Sequence, residues 1–418
     1  MLSSMVQGLN LGNGSTWPGH IALKTNKHII RDLLAKTKMQ VILIAGTNGK
    51  TTTATLLKSA LELQHKRVLQ NESGANLLNG IASTLLLHAS TSGRINYDVA
   101  IFEVDENALP LVVKEITPSY VVLLNLFRDQ LDRYGEVNTI VTKWKHAISQ
   151  LSEKTTLVLN ADDPQIAYLA IAHTKGDNLY FGLQDAQFST KETDHAADSV
   201  SCPKCGARLQ FEKLAFSHLG KWKCPKCDLK RPAIKPQAFS LYPLPGLYNK
   251  YNTLAAKLVL QQLGFSDNAI DDAFAAFKPA FGRQEIVEYK GKKVQLFLSK
   301  NPTSFNQSYA TMQEMGAKHL LLILNDRIPD GRDISWIWDV DLPQIQSFEQ
   351  IIIAGDRAYD MALRVKYEDY KDFQTFENLQ QAIDAGVDGL GRDQTLYVLP
   401  TYSAMLEVRK ILTGKKIL

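Results

Sequence analysis

The sequence predicts an α/β protein with a larger first domain built on a parallel sheet, followed by a smaller C-terminal α/β domain. Three observations support this fold. Short apolar runs alternate with helical patterns, a glycine-rich loop follows the first run, and four cysteines cluster where the alternation is interrupted. Such alternation is typical of a parallel sheet covered by helices on both faces. At 418 residues the chain also exceeds one ordinary domain of roughly 100–200 residues.

The first domain is predicted to occupy residues 1–285. Its strands are short β-branched runs, and its clearest helices run from Thr51 to about His65 and over residues 252–263. The predicted strands cover residues 41–45, 98–104, 120–124 and 156–159. Residues of about 190–235 are polar at first and then basic, which indicates a segment inserted into this domain.

A second alternating set begins near Lys292 and predicts the C-terminal domain over residues 286–418, with a hinge near residues 281–287. Its predicted strands cover residues 294–298, 319–324, 350–353 and 395–399. No run approaches 18 apolar residues, and the N-terminus has no basic segment followed by an apolar one. We therefore expect neither a transmembrane helix nor a secretory signal, and a cytoplasmic location.

A phosphate-binding loop is predicted between the first strand and the first helix. Its glycines let backbone N–H groups surround phosphate oxygens, Lys50 reaches the outer phosphates, and the Thr51 hydroxyl can bind Mg²⁺. The predicted ATP-binding residues of this loop are Gly46, Thr47, Asn48, Gly49, Lys50, Thr51 and Thr52. Ile44 stands where the general pattern has its first glycine, so the alternative is a tight turn with an exposed lysine.

The sequence GTNGKTT of this loop resembles the Mur ligase and folylpolyglutamate synthetase superfamily, which makes amide bonds with ATP through an acyl-phosphate. The resemblance implies a Mur ligase-like fold that uses ATP and Mg²⁺, with Glu103 as a second Mg²⁺ ligand beside Thr51. Residues 125–135 resemble the N-x-x-x-D-H-L-D segment of that superfamily, although Gln130 replaces the usual histidine.

Two later motifs continue this resemblance. Asn249 and Asn252 match a G-x-x-N-x-x-N motif near the adenine, and Arg283 matches the G-R-x-E element that approaches the nucleotide. Five matches in the same order over about 240 residues support the assignment together. Many superfamily members also carry a carbamylated lysine, and Lys143 and Lys145 bracket its position without either fitting, so solvated helix lysines are an equal alternative.

The cysteines form two C-x₂-C pairs separated by 18 residues, the spacing of a structural zinc ribbon. The predicted Zn²⁺ ligands are Cys202, Cys205, Cys224 and Cys227. Four thiolates leave no open coordination position, and a redox pair is the weaker alternative in a reducing cytoplasm. His218 lies between the pairs and is expected at the surface.

The ribbon is also the basic part of the chain. Residues 202–232 hold eight Lys and Arg against Glu212 and Asp228, a formal charge of +6 in a chain whose total is +4. The rest of the chain is therefore slightly acidic. Three explanations of the basic ribbon stay open: it binds a charged partner, it binds an acidic substrate, or its lysines are simply solvated.

Residues 325–339 follow a predicted strand and contain four Asp and two Trp residues. Functional side chains concentrate at such positions, while the alternative is an acidic loop whose Trp336 and Trp338 lie in the core or an interface. With Lys300-Asn301-Pro302 and the ribbon, this stretch resembles the MurT family, the ligase subunits of lipid II isoglutaminyl synthases.

That resemblance implies amidation of the D-glutamate α-carboxylate in lipid II to D-isoglutamine. It also implies a glutaminase partner, GatD, whose Cys–His pair is completed by an aspartate of this chain, Asp333 or alternatively Asp339. We expect no nucleic-acid partner, and peripheral contact with the membrane surface through the lipid-linked substrate.

The residues themselves support a division of labour, because a class I glutaminase needs a Cys nucleophile and all four cysteines are assigned to zinc. Two other hypotheses stay open. One is a self-sufficient ligase that adds an amino acid, although only about 40 residues precede the first strand. The other is a nucleotide-dependent RNA-binding protein that uses the basic ribbon.

Overall fold

The computed structural model describes residues 16–71, 74–129, 137–184, 188, 197–234, 241–279 and 281–414. Two six-stranded sheets organise these residues. The first has the order β2-β3-β1-β4-β5-β6 with every neighbouring pair parallel. Its strands are β1 (Gln40–Ala45), β2 (Val68–Gln70), β3 (Val99–Val104), β4 (Tyr120–Leu123), β5 (Thr156–Asn160) and β6 (Asn178–Phe181).

A two-stranded antiparallel hairpin follows the first sheet and lies in the predicted insertion. It consists of β7 (Gln210–Phe216) and β8 (Leu219–Lys223). The second sheet has the order β13-β12-β11-β14-β10-β9, in which only the β9–β10 pair is antiparallel. Its strands are β9 (Arg283–Tyr289), β10 (Lys292–Phe297), β11 (His319–Ile323), β12 (Gln350–Ala354), β13 (Phe373–Phe376) and β14 (Thr395–Pro400).

Helices cover both sheets, and buried apolar side chains form a cluster on each face of each sheet. Those of the first half are α1 (Trp17–Thr25), α2 (Ile29–Leu34), α3 (Lys50–Leu63), α4 (Leu78–His88), α5 (Leu109–Glu115), α6 (Val137–Ile148), α7 (Pro164–Tyr168), α8 (Leu247–Gln262) and α9 (Asp267–Ala275). The second half has α10 (Pro302–Glu314), α11 (Ala358–Lys366), α12 (Leu379–Asp388) and α13 (Tyr402–Thr413). In the described ranges, no helix has the length and hydropathy needed to cross a bilayer.

The register of the first sheet brings three chain segments together at one edge. Ala45 pairs with Val104 on one side and with Leu123 on the other, so β1, β3 and β4 end side by side. The loop after β1, Glu103 at the end of β3 and the residues after β4 therefore meet. Ligands of open parallel sheets bind at such an edge, where neighbouring connections leave in opposite directions.

The predicted α/β fold is confirmed, and each of the eight predicted strands corresponds to an observed one. Strands β2, β6, β9 and β13 were not predicted, and they are the four edge strands of the two sheets. Edge strands are only partly covered, so they lack the continuous apolar run by which central strands are recognised. The predicted hinge at residues 281–287 overlaps β9, and the domain boundary at residues 285 and 286 stays a prediction.

Candidate functional site

The predicted phosphate loop forms a turn at the N-terminus of α3. Gly49 has φ +93°, and a Cβ at that position would lie 2.0 Å from Asn252 Oδ1 on α8. A side chain is therefore excluded by both backbone strain and space. Asn48 N–H donates to Asn125 Oδ1 over 2.9 Å, which fixes the loop to the segment after β4.

This loop forms one end of a cleft of about 310 Å³ that also reaches the second sheet. The cleft is lined by predicted site residues and by further polar and aromatic side chains. Among the predicted residues are Thr47, Asn48, Gly49, Lys50, Thr51, Thr52, Glu103, Asn249, Asn252 and Arg283. The structure thus brings all predicted ATP and Mg²⁺ residues together except Gly46, which lies directly before the lining residues and accepts a hydrogen bond from Lys50.

The two predicted Mg²⁺ ligands are in direct contact. Thr51 Oγ1 donates to Glu103 Oε2 over 2.7 Å. Burial raises the pKa of Glu103, while the hydrogen bond from Thr51 and the charges of Lys50 and Arg283 act in the opposite direction. A hydroxyl and a carboxylate oxygen are the hard ligands that Mg²⁺ prefers, so this pair fits the ion.

Lys50 is buried at the centre of the loop. Its Nζ donates to the carbonyls of Gly46 and Thr47 and lies 3.5 Å from Glu106 Oε2. Burial alone would raise the pKa of Glu106, but the charges of Lys50 and Lys300 lower it below its ordinary value. Lys50 therefore places a buried positive charge, balanced by Glu106, at a point where an anionic ligand can bind.

Asn249 and Asn252 occupy one face at the start of α8. Asn252 Nδ2 donates to Asn249 Oδ1 over 3.1 Å, and Asn249 Nδ2 donates to the carbonyl of Pro245 over 2.8 Å. The two amides are therefore fixed in orientation beside the phosphate loop. Both side chains are buried and line the cleft, as predicted.

Arg283 opens strand β9 and lines the cleft from the second sheet. Burial lowers the pKa of its guanidinium, and the negative charge of Glu103 opposes that effect. The next residue, Gln284, has φ +61° and donates to Tyr248 Oη over 2.7 Å. This contact fixes the start of β9 against the start of α8.

Lys300 is a second cation that the C-terminal half brings into the cleft. Its Nζ donates to Asp129 Oδ2. Burial lowers the pKa of Lys300, but the negative charges of Asp129 and Glu106 outweigh this effect and raise it above its ordinary value. Asn301 Nδ2 also donates to Asn48 Oδ1 over 3.2 Å. The cleft is therefore bounded by residues that come directly after strands of the first sheet and of the second sheet.

The four cysteine sulfurs converge on one point. Cys202 Sγ lies 3.5 Å from Cys227 Sγ, Cys205 Sγ lies 3.5 Å from Cys224 Sγ, and all four lie within 4.8 Å of one another. A tetrahedral zinc with Zn–S bonds of about 2.3 Å needs sulfurs about 3.8 Å apart, so the set fits Zn²⁺. The cysteines are free thiols in the structure.

The expectation that His218 lies at the surface is wrong, because its side chain is 0% exposed. The His218 ring lies 4.9 Å from the ring of Phe127, and its Nε2 is 3.5 Å from Asp163 Oδ2. The sequence did not reveal this, because His218 is buried against residues far away in the chain, Phe127 and Asp163. Five of the eight basic residues in the insertion are exposed: Lys204, Arg208, Lys223, Lys226 and Lys230.

The acidic stretch follows β11 as a loop with a short 3₁₀ helix, Ser335–Asp339. Asp333 is exposed, and its Oδ1 accepts the Ser335 N–H over 2.8 Å, which lowers the pKa of Asp333. Asp339 instead forms an ion pair with Arg128, 3.2 Å away. Of the two tryptophans, Trp336 is partly buried against Phe305, whereas Trp338 is 49% exposed.

Family models match both halves of the chain, the Mur ligase middle domain over residues 44–260 and the MurT ligase C-terminal domain over residues 298–405. A MurT subunit of lipid II isoglutaminyl synthase (glutamine-hydrolyzing) from Staphylococcus aureus strain COL is 35% identical over 84% of this chain and 83% of its own length. The chain belongs to the MurT family.

Two further comparisons extend this result. The Streptococcus pneumoniae R6 protein of the same name is 33% identical over 97% of this chain and 94% of its own length. A pseudomurein peptide ligase type C from Methanothermus fervidus has a TM-score of 0.67 and 22% identity, covering 92% of this chain and 80% of its own. This structural match supports the Mur ligase fold of the MurT chain.

Two of the sequence predictions fall outside the cleft. Lys143 Nζ donates to Asn107 Oδ1 over 3.1 Å, and Lys145 Nζ lies 5.1 Å from the ring centre of Tyr168. Neither side chain is among those that line the cleft of this MurT family member. Gln130, which replaces the superfamily histidine, lies outside the described residues.

Three charged residues of the site were not predicted: Lys300, Asp129 and Glu106. Asp129 lies inside a quoted motif, and Lys300 precedes the Asn-Pro pair that contributed to the MurT resemblance. Their pairing joins residues 171 positions apart, so local spacing could not reveal it. The signal that existed was the presence of charged residues directly after predicted strands.

Proposed function

We propose that this chain is the ATP-dependent ligase subunit of a lipid II isoglutaminyl synthase, which converts the α-carboxylate of D-glutamate in the stem peptide to a carboxamide. The observation that carries the proposal is the convergence of Lys50, Arg283 and Lys300 in one cleft. These cations come from both halves of the chain and surround the space beside the phosphate loop. Membership of the MurT family supports this reading.

The reaction follows from that arrangement. A carboxylate oxygen of D-glutamate attacks the γ-phosphorus of ATP, and the bond to the ADP oxygen breaks. Ammonia then attacks the carbonyl carbon of the acyl-phosphate, loses a proton, and inorganic phosphate leaves. Lys50, Arg283 and Lys300 would hold the transferred phosphoryl group and exclude water from it.

Thr51 and Glu103 would hold Mg²⁺, whose charge neutralises phosphate oxygens when it is bound. Their hydrogen bond brings a hydroxyl oxygen and a carboxylate oxygen, both suitable Mg²⁺ ligands, next to each other. Burial disfavours the negative charge of Glu103 in the free chain, so binding of a cation relieves an existing cost. Asn249 and Asn252 are assigned to the nucleoside side of the cleft.

Ammonia is supplied in this proposal by a glutaminase partner, GatD. The chain has four cysteines, and their sulfurs meet at one point that suits structural Zn²⁺. It therefore lacks a free thiol nucleophile for glutamine hydrolysis. Reduced thiols of this kind also agree with a cytoplasmic location.

The partner is proposed to dock on the acidic loop. Asp333 is our choice to complete the Cys–His pair of GatD, because Asp339 is already paired with Arg128. Trp338 follows Asp333 in the same loop and belongs to an exposed, mostly aromatic set of side chains, Trp338, Tyr359, Leu363 and Tyr367. The last three follow each other on one side of α11 and its end, and the Trp338 and Tyr367 rings are 5.3 Å apart.

The lipid-linked substrate is anionic, and the exposed lysines and arginine of the insertion offer a complementary surface for it. We propose peripheral contact with the membrane at this face and no nucleic-acid partner. Attraction of this kind weakens as salt screens it. A fall in activity on lipid II with rising salt, absent for a soluble muropeptide, would support this contact.

The test is ATP-dependent incorporation of ¹⁵N-ammonia into lipid II by the chain with and without GatD. Asp333→Asn should reduce the glutamine-dependent rate by about 10²-fold or more while sparing the ammonia-dependent rate, because only the partner's base loses its orientation. Asp339→Asn is the matched control and should leave the ratio of the two rates unchanged.

Equal loss of both rates in Asp333→Asn would move Asp333 from glutamine hydrolysis to carboxylate activation. Entry of a labelled amino acid in place of ammonia would instead support a self-sufficient ligase. RNA binding with a steep salt dependence and no ligation would contradict the enzyme assignment as a whole.

A further inference from the structure

The hairpin β7–β8 of the insertion reaches from the cysteine site into the core of the first sheet. Its base lies beside Cys202 and Cys224, where Leu209 and Trp222 are buried in one small apolar cluster. Its tip carries Phe216 and Leu219 into the large cluster that covers one face of the first sheet. The hairpin therefore connects the metal site with the ATPase core.

The tip of this hairpin lines the cleft. Phe216 and Leu219 are both lining residues, together with Phe127 and Tyr251. The ring of Phe216 stacks on Phe127 with centres 6.2 Å apart and meets Tyr251 edge-on at 5.9 Å. These side chains form a continuous aromatic and apolar wall, in contrast to the charged end of the cleft at Lys50.

Two hydrogen bonds fix the hairpin to the loop after β5. Trp222 Nε1 donates to the carbonyl of Ala161 over 3.0 Å, and Gly220 N–H donates to the carbonyl of Asp162 over 3.0 Å. A Cβ at Gly220 would lie 2.3 Å from the carbonyl of Lys213, so the two strands approach as closely as glycine allows. The tip consequently has one position relative to the sheet.

The carboxylate of Asp162 strengthens this anchor. It is fully buried and accepts from Arg231 Nε over 2.5 Å, Tyr251 Oη over 2.7 Å and Leu183 N–H over 2.9 Å. Arg231 lies four residues after the last cysteine, and Tyr251 lies in the cleft wall. One buried carboxylate thus joins the end of the cysteine site to the wall.

The tip also contacts the phosphate loop through Phe127. His218 lies against the Phe127 ring, and Phe127 N–H donates to Thr47 Oγ1 over 3.1 Å. Thr47 Oγ1 in turn donates to the Phe127 carbonyl over 3.2 Å. A shift of the hairpin would therefore be transmitted to the residue after the first loop glycine.

We propose that the hairpin tip, Phe216 to Leu219, forms the base-binding wall of the nucleotide cleft, and that a metal at the four cysteines holds this wall in place. The inference rests on the proposed use of ATP and assigns the base to the aromatic end of the cleft. A purine presents two apolar faces, and stacking on aromatic side chains stabilises a base by about 1–3 kcal/mol. The triphosphate then extends towards Lys50 and Thr51.

The metal matters to the wall because a two-stranded hairpin is marginally stable alone. Four Sγ atoms from both ends of the hairpin meet at one point, so a bound ion closes the base of β7 and β8 together. Without it, the tip would be ordered by its packing in the apolar cluster of the first sheet and by the contacts of Arg231, Trp222 and Gly220 with the loop after β5. Metal occupancy should then change affinity for the base more than affinity for phosphates.

The experiment compares ATP with inorganic triphosphate, which contacts the phosphate loop but has no base. Dissociation constants are measured by calorimetry on the full chain that contains one zinc. Leu219→Ala should weaken ATP binding about tenfold and leave triphosphate binding within twofold. Removal of zinc by a chelator should have the same selective effect, with zinc content measured by elemental analysis.

Leu229→Ala is the matched control, because Leu229 packs at the cysteine end and does not line the cleft. It should leave both affinities unchanged while zinc stays at one per chain. Phe216→Leu replaces Leu219→Ala if that variant fails to fold. Equal weakening of ATP and triphosphate, or no change in either, would overturn the proposal. Binding of neither ligand by the unaltered chain would instead contradict the proposed ATP-dependent function.

Discussion

The nucleotide cleft and the acidic loop occupy equivalent places in the two sheets but differ in how their charges are satisfied. The cleft follows β1 and the acidic loop follows β11, each at the carboxyl end of a central parallel strand. In the cleft, Lys50 faces Glu106 and Lys300 faces Asp129, all largely buried. In the acidic loop, Asp333 is exposed, and so are Trp338 of the same loop (49%) and Tyr367, whose ring contacts Trp338 (70%).

In the proposed function, this difference separates a site that the chain forms by itself from one that a partner would complete. Buried pairs at low dielectric act strongly on a bound anion, which suits phosphoryl transfer. An exposed carboxylate beside exposed aromatic rings is typical of a protein interface, where Trp and Tyr are enriched. Changes in the cleft should therefore affect the isolated chain, and changes in the acidic loop should affect the complex.

The largest expected effect comes from Lys50→Ala. Loss of the buried cation removes a charge that would face the transferred phosphoryl group, and the ammonia-dependent ligation rate should fall by about 10²–10³-fold. The pKa of Glu106 should rise, because its main opposing charge is gone. Ligation of ¹⁵N-ammonia and circular dichroism test the rate and the fold.

Lys58→Ala is the matched control on the same helix, since the Lys58 side chain is half-buried, does not line the cleft and lies 3.8 Å from Glu62 in the adjacent turn. Its ligation rate should equal that of the unaltered chain. If Lys50→Ala kept full ligation, the phosphate-loop assignment would be wrong. The buried charges of the cleft would then no longer be evidence for a catalytic site, in contrast to the exposed acidic loop.

The phosphate loop could be predicted because its signal is local. Gly49, Lys50 and Thr51 are consecutive, and the turn they form depends on backbone conformation and the adjacent strand and helix. The side chains that complete the cleft could not be read from spacing. Asn301 meets Asn48 across 253 positions of the chain, and Lys300 meets Asp129 across 171.

The insertion shows the same limit in another form. The cysteine spacing predicted that four sulfurs converge, because each C-x₂-C pair is a local turn. The burial of His218 and the contacts of Phe216 depend on where the hairpin lies against the first sheet, and no sequence pattern encodes that placement. The edge strands were not predicted for a related reason, because their burial depends on tertiary neighbours that cannot be identified from the sequence.

A moderate effect is expected for Trp338→Ala at the aromatic face. If GatD docks there, loss of this ring should raise the dissociation constant of the complex about 30-fold, equivalent to ~2 kcal/mol at an interface hot spot. The ammonia-dependent rate of the isolated chain should stay unchanged, since Trp338 does not line the cleft. Co-purification and calorimetry with GatD measure the association.

Leu111→Ala provides the control for loss of an exposed apolar side chain, because Leu111 is 52% exposed and lies on α5 of the first half. It should not change the association with GatD. Unaltered GatD binding by Trp338→Ala would place the partner on another surface and leave the exposed rings without a role in the complex.

The smallest expected effect concerns the stability of the free chain and comes from Glu103→Gln. Burial raises the pKa of Glu103 in the folded chain above its unfolded value. The contribution of this group is therefore fully present below its unfolded pKa of about 4 and is lost as pH rises through the folded pKa. At pH 7 the neutral amide should stabilise the chain by about 1 kcal/mol, and the difference should disappear in acid.

Denaturant unfolding at pH 7 and pH 4 without nucleotide measures this gain in stability. Glu288→Gln is the control, because Glu288 is exposed on β9. It should change the free energy of unfolding by less than about 0.5 kcal/mol. With Mg²⁺ and ATP the order should reverse, since the unaltered carboxylate would gain a cation that the amide cannot replace. A variant less stable than the unaltered chain at pH 7 would mean that Arg283 and Thr51 already compensate the buried charge. The cleft would then be optimised for its own stability, and the contrast with the acidic loop would rest on exposure alone.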